Sequence, residues 1–523
     1  MIVDLNQTDA PAALRVDLCL VGAGAAGLAI ASEMANSSVT VAIAESGGLD
    51  FEPPTQALYD VDISGLPHPG SMQGRFRVCG GSTTMWGGQA LPLMPLDFES
   101  REWVPYSGWP ISFDELHPFY QRACRFLLVD GMNFDTDLFS LLKTRPPAFD
   151  ASQLWYHFSK WSPQPSVRER YLPTLRQSHN CTLLLHANVT QIVLDPVSQQ
   201  VTHVELQALG GRATTLRAKA FVLGVGGIET ARLLLANRKQ RFNGIGNEHD
   251  LVGRFFQDHP SALIGSLKAP SPARAQQLLN VFHKHGLKYS ARCTATPQWQ
   301  RQHQTLNISM GTTFVQDDPT LQHVKEIYAA LRQRRLGPNF AAKLLRAAMH
   351  PAAALSPAYH FLMRGRSFAP GARMLVGLTS EQQPNPESRI LLSDKLDALG
   401  VPRANVRWKL TDLTLHTMRK FAATLQDQFT RAGIGEIELE PWLLEDSSEW
   451  TSHINDQYHH IGTTRMNDSP RAGVVDRNCQ VHGLPNLFIA SSSVFPTSGH
   501  SNPTLTIIAL CMRLADRLKQ LLA

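Results

Sequence analysis

The chain has 523 residues, of which 43% are hydrophobic and 18% are charged, a composition typical of a globular protein large enough for more than one core. Its formal net charge of +5 is small for this length and predicts no nucleic-acid partner. The seven cysteines are scattered without metal-binding spacing, which indicates a reducing compartment and no structural metal. We find no signal-peptide pattern and no apolar run of roughly 20 residues, so we expect a cytoplasmic protein without a transmembrane segment.

The N-terminal part of the chain has the pattern of a βαβ unit. An apolar run at residues 16–21 leads into a glycine-punctuated turn and a helix-forming stretch, and a second apolar run covers residues 39–44. Gly22, Gly24 and Gly27 fit the GxGxxG pattern of dinucleotide-binding turns. The first glycine permits the turn, the second lets the backbone approach a pyrophosphate, and the third lets helix and strand pack closely.

Residues around this turn predict which cofactor it holds. Ala25 and Ala26 would lie at the helix N-terminus, where the positive end of the helix dipole favours phosphate. Glu45 follows the second strand and could accept hydrogen bonds from ribose hydroxyls, which favours FAD or NAD over NADP. The alternative for Glu45 is an exposed acid at a strand end.

A second glycine-rich stretch, GGSTTMWGGQA, begins at Gly80. Its small residues suit a loop that brings backbone amides close to a flat ring, and an ordinary flexible loop is the alternative. The candidate cofactor contacts in this stretch are Gly80, Gly81, Ser82, Thr83, Met85, Trp86 and Gly87. Further along, VTQIVL and VTHVEL are typical of a strand meander, and AFVLGV is typical of a buried parallel strand.

These blocks together resemble the glucose-methanol-choline (GMC) oxidoreductase family, which binds FAD. The resemblance continues through AFVLGVGGIETARLLLA, VGRFFQDHP, EQQPNPESRILLS and HHIGTTRM to the C-terminal stretch GVVDRNCQVHGLPNLFIASSSVFPTSGHSNPTLTIIALCMRLADRL, in family order across nearly the whole chain. It implies an α/β protein with a doubly wound, Rossmann-like FAD-binding domain in residues 1–95, 165–265 and 455–523. An α+β substrate-binding or cap domain would occupy residues 96–164 and 266–454.

The resemblance places the catalytic groups near the C-terminus. His459 leads the HHIGT block, and an imidazole with an unperturbed pKa of about 6.5 can accept an alcohol proton near neutral pH. Hydride would leave the same carbon for N5 of the flavin. His460 is the competing base. Asn502 matches the family's second catalytic position, with His500 as the alternative.

Asn502 and Pro503 also have the signature of a helix start, with Asn as N-cap and Pro at the first helical position. We expect the Asn502 amide oxygen to cap the helix while its NH₂ group donates to the substrate. Asn502, Pro503 and Thr504 would then face the pyrimidine edge of the flavin with the positive end of the helix.

The resemblance implies further features of the cofactor site. Val189 and Gly226 would line the FAD, and His259 in QDHP is expected to be structural or near the flavin. Some relatives carry a histidine that links covalently to the flavin at the position of Met85. A methionine cannot form this bond, so we expect non-covalent FAD.

The expected function is oxidation of an alcohol to a carbonyl by a dehydrogenase or oxidase. The substrate would be a sugar, a polyol or a small natural product, and the electron acceptor would be oxygen, a quinone or a protein. A non-redox lyase on the same scaffold and an NAD-dependent dehydrogenase are alternatives. The basic stretch at residues 321–366 predicts either a solvated helix face or a peripheral membrane or partner contact.

Overall fold

The computed structural model describes residues 1–7, 10–131, 134, 139, 145–316, 323, 326–327, 339–349, 351–445 and 448–523. Its strands are β1 (Ile2–Asp4), β2 (Ala13–Val21), β3 (Val41–Ala44), β4 (Val61–Ile63), β5 (Gln89–Ala90), β6 (Leu154–Trp161), β7 (Cys181–Leu185), β8 (Asn188–Leu194), β9 (Val201–Gln207), β10 (Ala213–Leu223), β11 (Ser261–Lys268), β12 (Val281–Lys284), β13 (Leu287–Ala295), β14 (Ile308–Val315), β15 (Arg373–Ser380), β16 (Arg389–Leu396), β17 (Pro402–Arg407), β18 (Glu436–Leu439) and β19 (Leu487–Ile489). Its α-helices are α1 (Ala25–Met34), α2 (Pro53–Gln56), α3 (Gly70–Gln73), α4 (Pro95–Phe98), α5 (Phe113–Phe126), α6 (Val167–Gln177), α7 (Gly227–Ala236), α8 (Pro272–Leu279), α9 (Pro297–His303), α10 (Phe340–Met349), α11 (Pro351–Arg364), α12 (Asp412–Arg431), α13 (Pro441–Leu444) and α14 (Thr504–Leu522).

The first sheet has the strand order β1-β7-β3-β2-β10-β9-β8, with β19 beside the C-terminal part of β10. The strands from β1 to β10 in this order are parallel, as is β19, while β8, β9 and β10 form an antiparallel meander. All four residues of β3 are buried, as expected of a parallel strand covered by helices. The predicted doubly wound α/β fold is therefore confirmed, as is the meander.

The second sheet is antiparallel throughout, with the order β18-β11-β15-β14-β13-β6-β5 and β12 beside β13. Helix α12 packs on it through contacts with β14, β15 and β18. Strand β5 and the first part of β11 join this sheet, although they lie within the residues assigned to the FAD-binding domain. The predicted domain boundaries stay predictions.

A third sheet has three strands in the order β16-β17-β4. Through it, the irregular stretch after β3, which contributes β4, pairs with residues 389–407. Helix α7 packs against β16 and β17. Arg232 on this helix donates hydrogen bonds to Glu229 and Asp397, so a buried ion cluster fixes the small sheet to the first one.

Two helices, α10 and α11, form within the basic stretch at residues 321–366. Arg332, Arg334 and Arg335 lie outside the described residues. Among the described helices, we find none that combines the length and the apolar character needed to cross a membrane.

Candidate active site

The glycine turn between β2 and α1 has the geometry that its spacing predicts. Gly22 has φ +96°, and a Cβ there would lie 2.8 Å from the Gly224 oxygen. A Cβ on Gly27 would lie 1.9 Å from the Gly22 oxygen, so this glycine is required for the close packing of helix and turn. A Cβ on Gly24 would meet no protein atom within 4 Å. The approach of a pyrophosphate to Gly24 stays a prediction.

Glu45 is buried, with 4% of its surface exposed, so it is not an exposed acid at a strand end. Its two carboxylate oxygens accept hydrogen bonds of 2.8 Å from the backbone N–H groups of Ala23 and Gly47. Burial raises the pKa of Glu45, and these hydrogen bonds oppose the rise. The carboxylate thus fastens the glycine turn, and its contact with ribose stays a prediction.

A cavity of about 370 Å³ opens beside Glu45. A smaller cavity of about 40 Å³ adjoins it and is lined by Gly22, Val189 and Val225, among others. Both cavities include Ser46 and Asn188 in their walls, so they form one groove. The volume of the larger cavity lies in the range of ligand sites, and the smaller cavity is lined by two of the predicted cofactor contacts, Gly22 and Val189. Sequence reasoning missed Phe51 and Glu52 in the wall of the larger cavity, because the irregular stretch after β3 carries no periodic pattern, and it also missed His186, which follows β7.

The second glycine-rich stretch lies directly against the first. The Gly80 N–H donates to the Ala23 oxygen at 2.8 Å, and a Cβ on Gly81 would lie 3.1 Å from the Gly24 Cα. Residues 81–84 form a 3₁₀ turn in which Thr83 is buried and Ser82 is exposed. The fold therefore brings the two predicted cofactor loops together.

The remaining candidates of this stretch face the second sheet. Trp86 donates from Nε1 to the Pro165 oxygen at 2.8 Å, and a Cβ on Gly87 would lie 2.5 Å from the Trp161 ring. Met85 is 70% exposed. This part of the loop thus lies at the junction of the two large sheets.

Two of the predicted catalytic residues face each other. Asn502 Nδ2 lies 3.4 Å from His459 Nε2. On the other side of the ring, His459 Nδ1 lies 2.7 Å from His259 Nδ1, and His259 Nε2 lies 3.3 Å from the Ser498 oxygen.

These distances assign the ring protons. A backbone carbonyl only accepts, so His259 Nε2 carries a proton and donates to Ser498. His259 Nδ1 is then an acceptor, and His459 Nδ1 donates to it. This leaves His459 Nε2 as an unprotonated acceptor that faces the Asn502 amide. Burial and the neighbouring His259 lower the pKa of His459 to about 3, which keeps Nε2 unprotonated at neutral pH.

Asp258 holds the catalytic segment in place, and sequence reasoning missed this role even though Asp258 is part of the QDHP block. Its carboxylate accepts hydrogen bonds from the backbone N–H groups of His259 (2.6 Å), Gln457 (3.0 Å) and His459 (2.9 Å). His68 Nε2 lies 3.1 Å from the same carboxylate. Burial opposes the charge, but the hydrogen bond from His68 and the nearby histidines outweigh it and lower the pKa of Asp258 to about 2.

The two alternative bases, His460 and His500, make other contacts. The His460 ring packs against Phe256 and His68, with ring centroids 6.2 Å and 5.7 Å away, and its Nε2 has no hydrogen-bond partner among the described residues. His500 Nδ1 lies 3.0 Å from Asn307 Oδ1. Burial lowers the pKa of both histidines well below its ordinary value. Of the three histidines, only His459 contacts Asn502.

The predicted helix cap is wrong. Helix α14 begins at Thr504, one residue later than expected, with Pro503 as the N-cap and no side chain bonded to the helix N–H groups. Pro503 already has helical dihedral angles, φ −71° and ψ −19°, which leaves Asn502 outside the helix. The Asn502 amide is turned toward His459 instead of toward the helix.

Two groups of side chains in the described part of the chain are close enough to hold a metal ion, His68 with Asp258 and His460, and Asp258 with His259 and His459. In the first group the Ser71 N–H donates to His68 Nδ1 at 3.1 Å, so His68 carries its proton on Nε2 and faces Asp258 as a donor. In the second group the two histidines bond to each other. Hydrogen bonds account for the second group, whereas His460 Nε2 in the first group has no hydrogen-bond partner among the described residues. The absence of a metal stays a prediction.

A glycine turn at the end of a parallel sheet, with a histidine–amide pair beside a second sheet, is the arrangement of an oxidoreductase with a dinucleotide cofactor. Two models of the GMC oxidoreductase family match the chain, one over residues 155–261 and one over residues 384–511. The chain belongs to the GMC oxidoreductase family.

Relatives match over nearly the whole chain. The large subunit of fructose dehydrogenase from Gluconobacter japonicus is 24% identical and covers 96% of this chain and 97% of its own length. Paromamine 6'-oxidase from Streptomyces fradiae is 23% identical over 95% of this chain and 90% of its own length. The crystal structure of formate oxidase matches with a TM-score of 0.60 at 16% identity, covering 98% of this chain and 99% of that chain. Pyridoxine 4-oxidase from Mesorbium loti has a TM-score of 0.59 at 16% identity, over 97% and 99%. The two solved structures share the fold.

Proposed function

We propose that the protein oxidises an alcohol to a carbonyl compound with FAD as its cofactor. The observation that carries the proposal is the lone pair of His459 Nε2 opposite the Asn502 Nδ2 donor. An alcohol oxygen that replaces the contact between these two groups would accept a hydrogen bond from the amide and give its proton to the imidazole. FAD, when bound, supplies N5 as the acceptor of the hydride from the same carbon.

The residues present fit FAD. The groove beside Glu45 and the glycine turn suit the adenosine and pyrophosphate, and Gly24 is open to an approaching ligand. Asn502, Pro503 and Thr504 stand at the N-terminus of the 19-residue helix α14, whose dipole favours negative charge on the flavin ring. Met85 offers no nucleophile for a covalent link, so the cofactor is held non-covalently.

Three neighbouring groups prepare His459 for proton transfer. Ser498 and His259 keep the proton on Nδ1, so Nε2 is free to receive the proton of the substrate. Asp258 anchors the backbone of His459, and its charge stabilises the imidazolium that forms. The proton stays on His459 Nε2 until the product leaves.

The names of the relatives support oxidation and not bond cleavage. Fructose dehydrogenase and paromamine 6'-oxidase are redox enzymes by name, which leaves the lyase alternative without support. A sugar, a polyol or a small natural product is the proposed substrate class. The proposed electron acceptors are oxygen, a quinone or a protein, and the protein is proposed to act in the cytoplasm.

The first experiment is an anaerobic titration of the purified protein with a panel of alcohols, followed by flavin absorbance. Loss of the visible flavin absorbance with one class of alcohol supports the proposal, and admission of air then separates an oxidase from a dehydrogenase. His459→Gln should abolish this bleaching, whereas His460→Gln should retain it. A yellow protein that no alcohol bleaches, or a fully active His459→Gln variant, contradicts the proposal. Release of free FAD on acid denaturation tests the non-covalent binding.

A further inference from the structure

One face of the second sheet is lined with polar side chains next to the catalytic segment. Along β13, burial alternates, with Leu287, Tyr289, Ala291 and Cys293 buried and Lys288, Ser290 and Arg292 half-buried on the opposite face. The neighbouring strand β6 places Trp161, Ser159 and His157 directly across from Lys288, Ser290 and Arg292. Polar groups on such a face can orient a ligand.

Hydrogen bonds join this polar face to the active site. His157 Nε2 lies 2.7 Å from Thr294 Oγ1, and this hydroxyl lies 3.4 Å from His500 Nε2. His500 is two residues before Asn502. On the other side, Gln89, near the end of the second glycine-rich stretch, donates to Ser159 Oγ at 2.7 Å. The polar face is therefore connected by hydrogen bonds to His500, in the same segment as Asn502.

Arg292 on this face has no anionic partner among the described residues. Two buried arginines elsewhere in the chain, by contrast, pair with carboxylates: Arg101 donates two hydrogen bonds to Glu381, and Arg77 donates to Glu229. Arg292 makes no hydrogen bond or ion pair with the part of the chain that the structure describes. Burial lowers the pKa of Arg292, and no carboxylate offsets this effect. Because removing a cation from water is costly without a partner, the guanidinium is suited to an anion from outside.

Glycines on the neighbouring strands let the Arg292 guanidinium lie flat on the sheet. A Cβ on Gly311 of β14 would lie 2.9 Å from Arg292 Nη1, so the guanidinium rests over a residue without a side chain. Gly377 of β15 lies directly across from Gly311, and a Cβ there would meet nothing closer than 3.6 Å. A second cation, Lys288, lies on the same face with Nζ 3.5 Å from the centroid of the Trp161 ring. The floor beside Arg292 is thus flat and cationic.

We propose that Arg292 binds a carboxylate or phosphate group of the substrate, so that the alcohol the protein oxidises is an anionic one. The planar guanidinium offers two parallel donors that match either group, and it would orient the substrate with its hydroxyl toward His459. This inference rests on the proposed function, since it assigns a substrate class to the same site.

The test compares neutral and anionic alcohols that share a carbon skeleton. Glycerol, glycerate and glycerol phosphate form one set, and glucose, gluconate and glucose phosphate form another. Anaerobic flavin bleaching should give a higher kcat/KM for an anionic member than for its neutral counterpart. Arg292→Gln should lower kcat/KM for the anionic member by about ten- to a hundredfold, chiefly through KM, and should change the neutral member by less than about twofold. Arg292→Lys should fall between these values, and Arg274→Gln, which removes an exposed arginine of α8, should match the wild type.

Binding of inorganic phosphate, followed by its effect on the flavin spectrum, gives a readout without turnover. Phosphate binding should weaken in Arg292→Gln by the factor expected for KM of the anionic alcohol, and it should stay unchanged in Arg274→Gln. If neutral alcohols bleach the flavin and the anionic ones do so no better, this inference fails and the proposed function stands. If no alcohol bleaches the flavin, the proposed function fails, and the phosphate titration alone decides whether Arg292 binds anions. Phosphate binding that is equal in wild type and Arg292→Gln overturns the assignment.

Discussion

Replacement of His259 tests whether the histidine pair sets the proton on the catalytic base. His259→Leu removes the acceptor of the His459 Nδ1–H, which lies 2.7 Å away in a buried site. A buried donor left without its partner costs about 1–3 kcal/mol, which corresponds to roughly a 5- to 150-fold loss of rate if the cost falls on the reactive arrangement. We expect the loss in the flavin-bleaching rate at saturating alcohol, with little change in KM.

His259→Asn is the matched control, because the asparagine side-chain oxygen can take the place of the Nδ1 acceptor. It should recover most of the rate that the leucine variant loses. Stopped-flow bleaching of both variants, together with their melting temperatures, separates a loss of proton placement from a loss of fold. Equal losses in the asparagine and leucine variants at unchanged melting temperature would refute the assignment of the ring protons.

Three further predictions follow from buried groups and from the glycine turn. Asp258→Asn removes a buried charge that accepts hydrogen bonds from three backbone N–H groups. It should lower the free energy of unfolding in urea titrations by about 3–5 kcal/mol and slow the flavin bleaching. An unchanged urea midpoint contradicts this role. The pKa values of His157 and His459 are lowered to about 3, below their unfolded value, so the unfolded state takes up protons first as the pH falls. Stability should decline below pH about 6.5 with a slope that approaches ~1.4 kcal/mol per pH unit for each histidine, and a flat urea midpoint from pH about 7 to 5 would be inconsistent with this. Gly27→Ala should lower both the melting temperature and the flavin content, since its Cβ would lie 1.9 Å from a backbone oxygen, whereas Gly24→Ala should lower the flavin content alone. A Gly24→Ala protein that binds FAD as well as the wild type argues against a pyrophosphate at this turn.

Regular patterns made much of the fold predictable from the sequence. The apolar runs, the glycine spacing and the meander predicted the first sheet, because strand burial and tight turns leave local signals. The Asn502 cap was predicted wrongly for a local reason as well. Asn-Pro is a common helix start, but the contact with His459, 43 residues earlier, turns the amide away from the helix.

The part of the site that could not be predicted depends on contacts between distant residues. Asp258 and His259 lie about 200 residues from His459 in sequence, and no spacing rule indicates that they meet. The unpaired state of Arg292 is equally invisible in the sequence, because it depends on which side chains the neighbouring strands present. Patterns within one element are local, whereas charge pairing is a property of the assembled sheets.

The position of β19 has a consequence for the synthesis of the protein on the ribosome. Residues 487–489 pair with residues 221–223, so the C-terminal end of β10 keeps an open backbone edge until residues 487–489 have emerged. The anchor of His459 on Asp258 is likewise completed only by the last seventy residues. A nascent chain therefore has an unpaired strand edge at β10, and no anchored His459, until these later residues have been synthesised. Chaperone binding to that edge, and rapid proteolysis of prematurely terminated chains, are the expected cellular signs of this late closure.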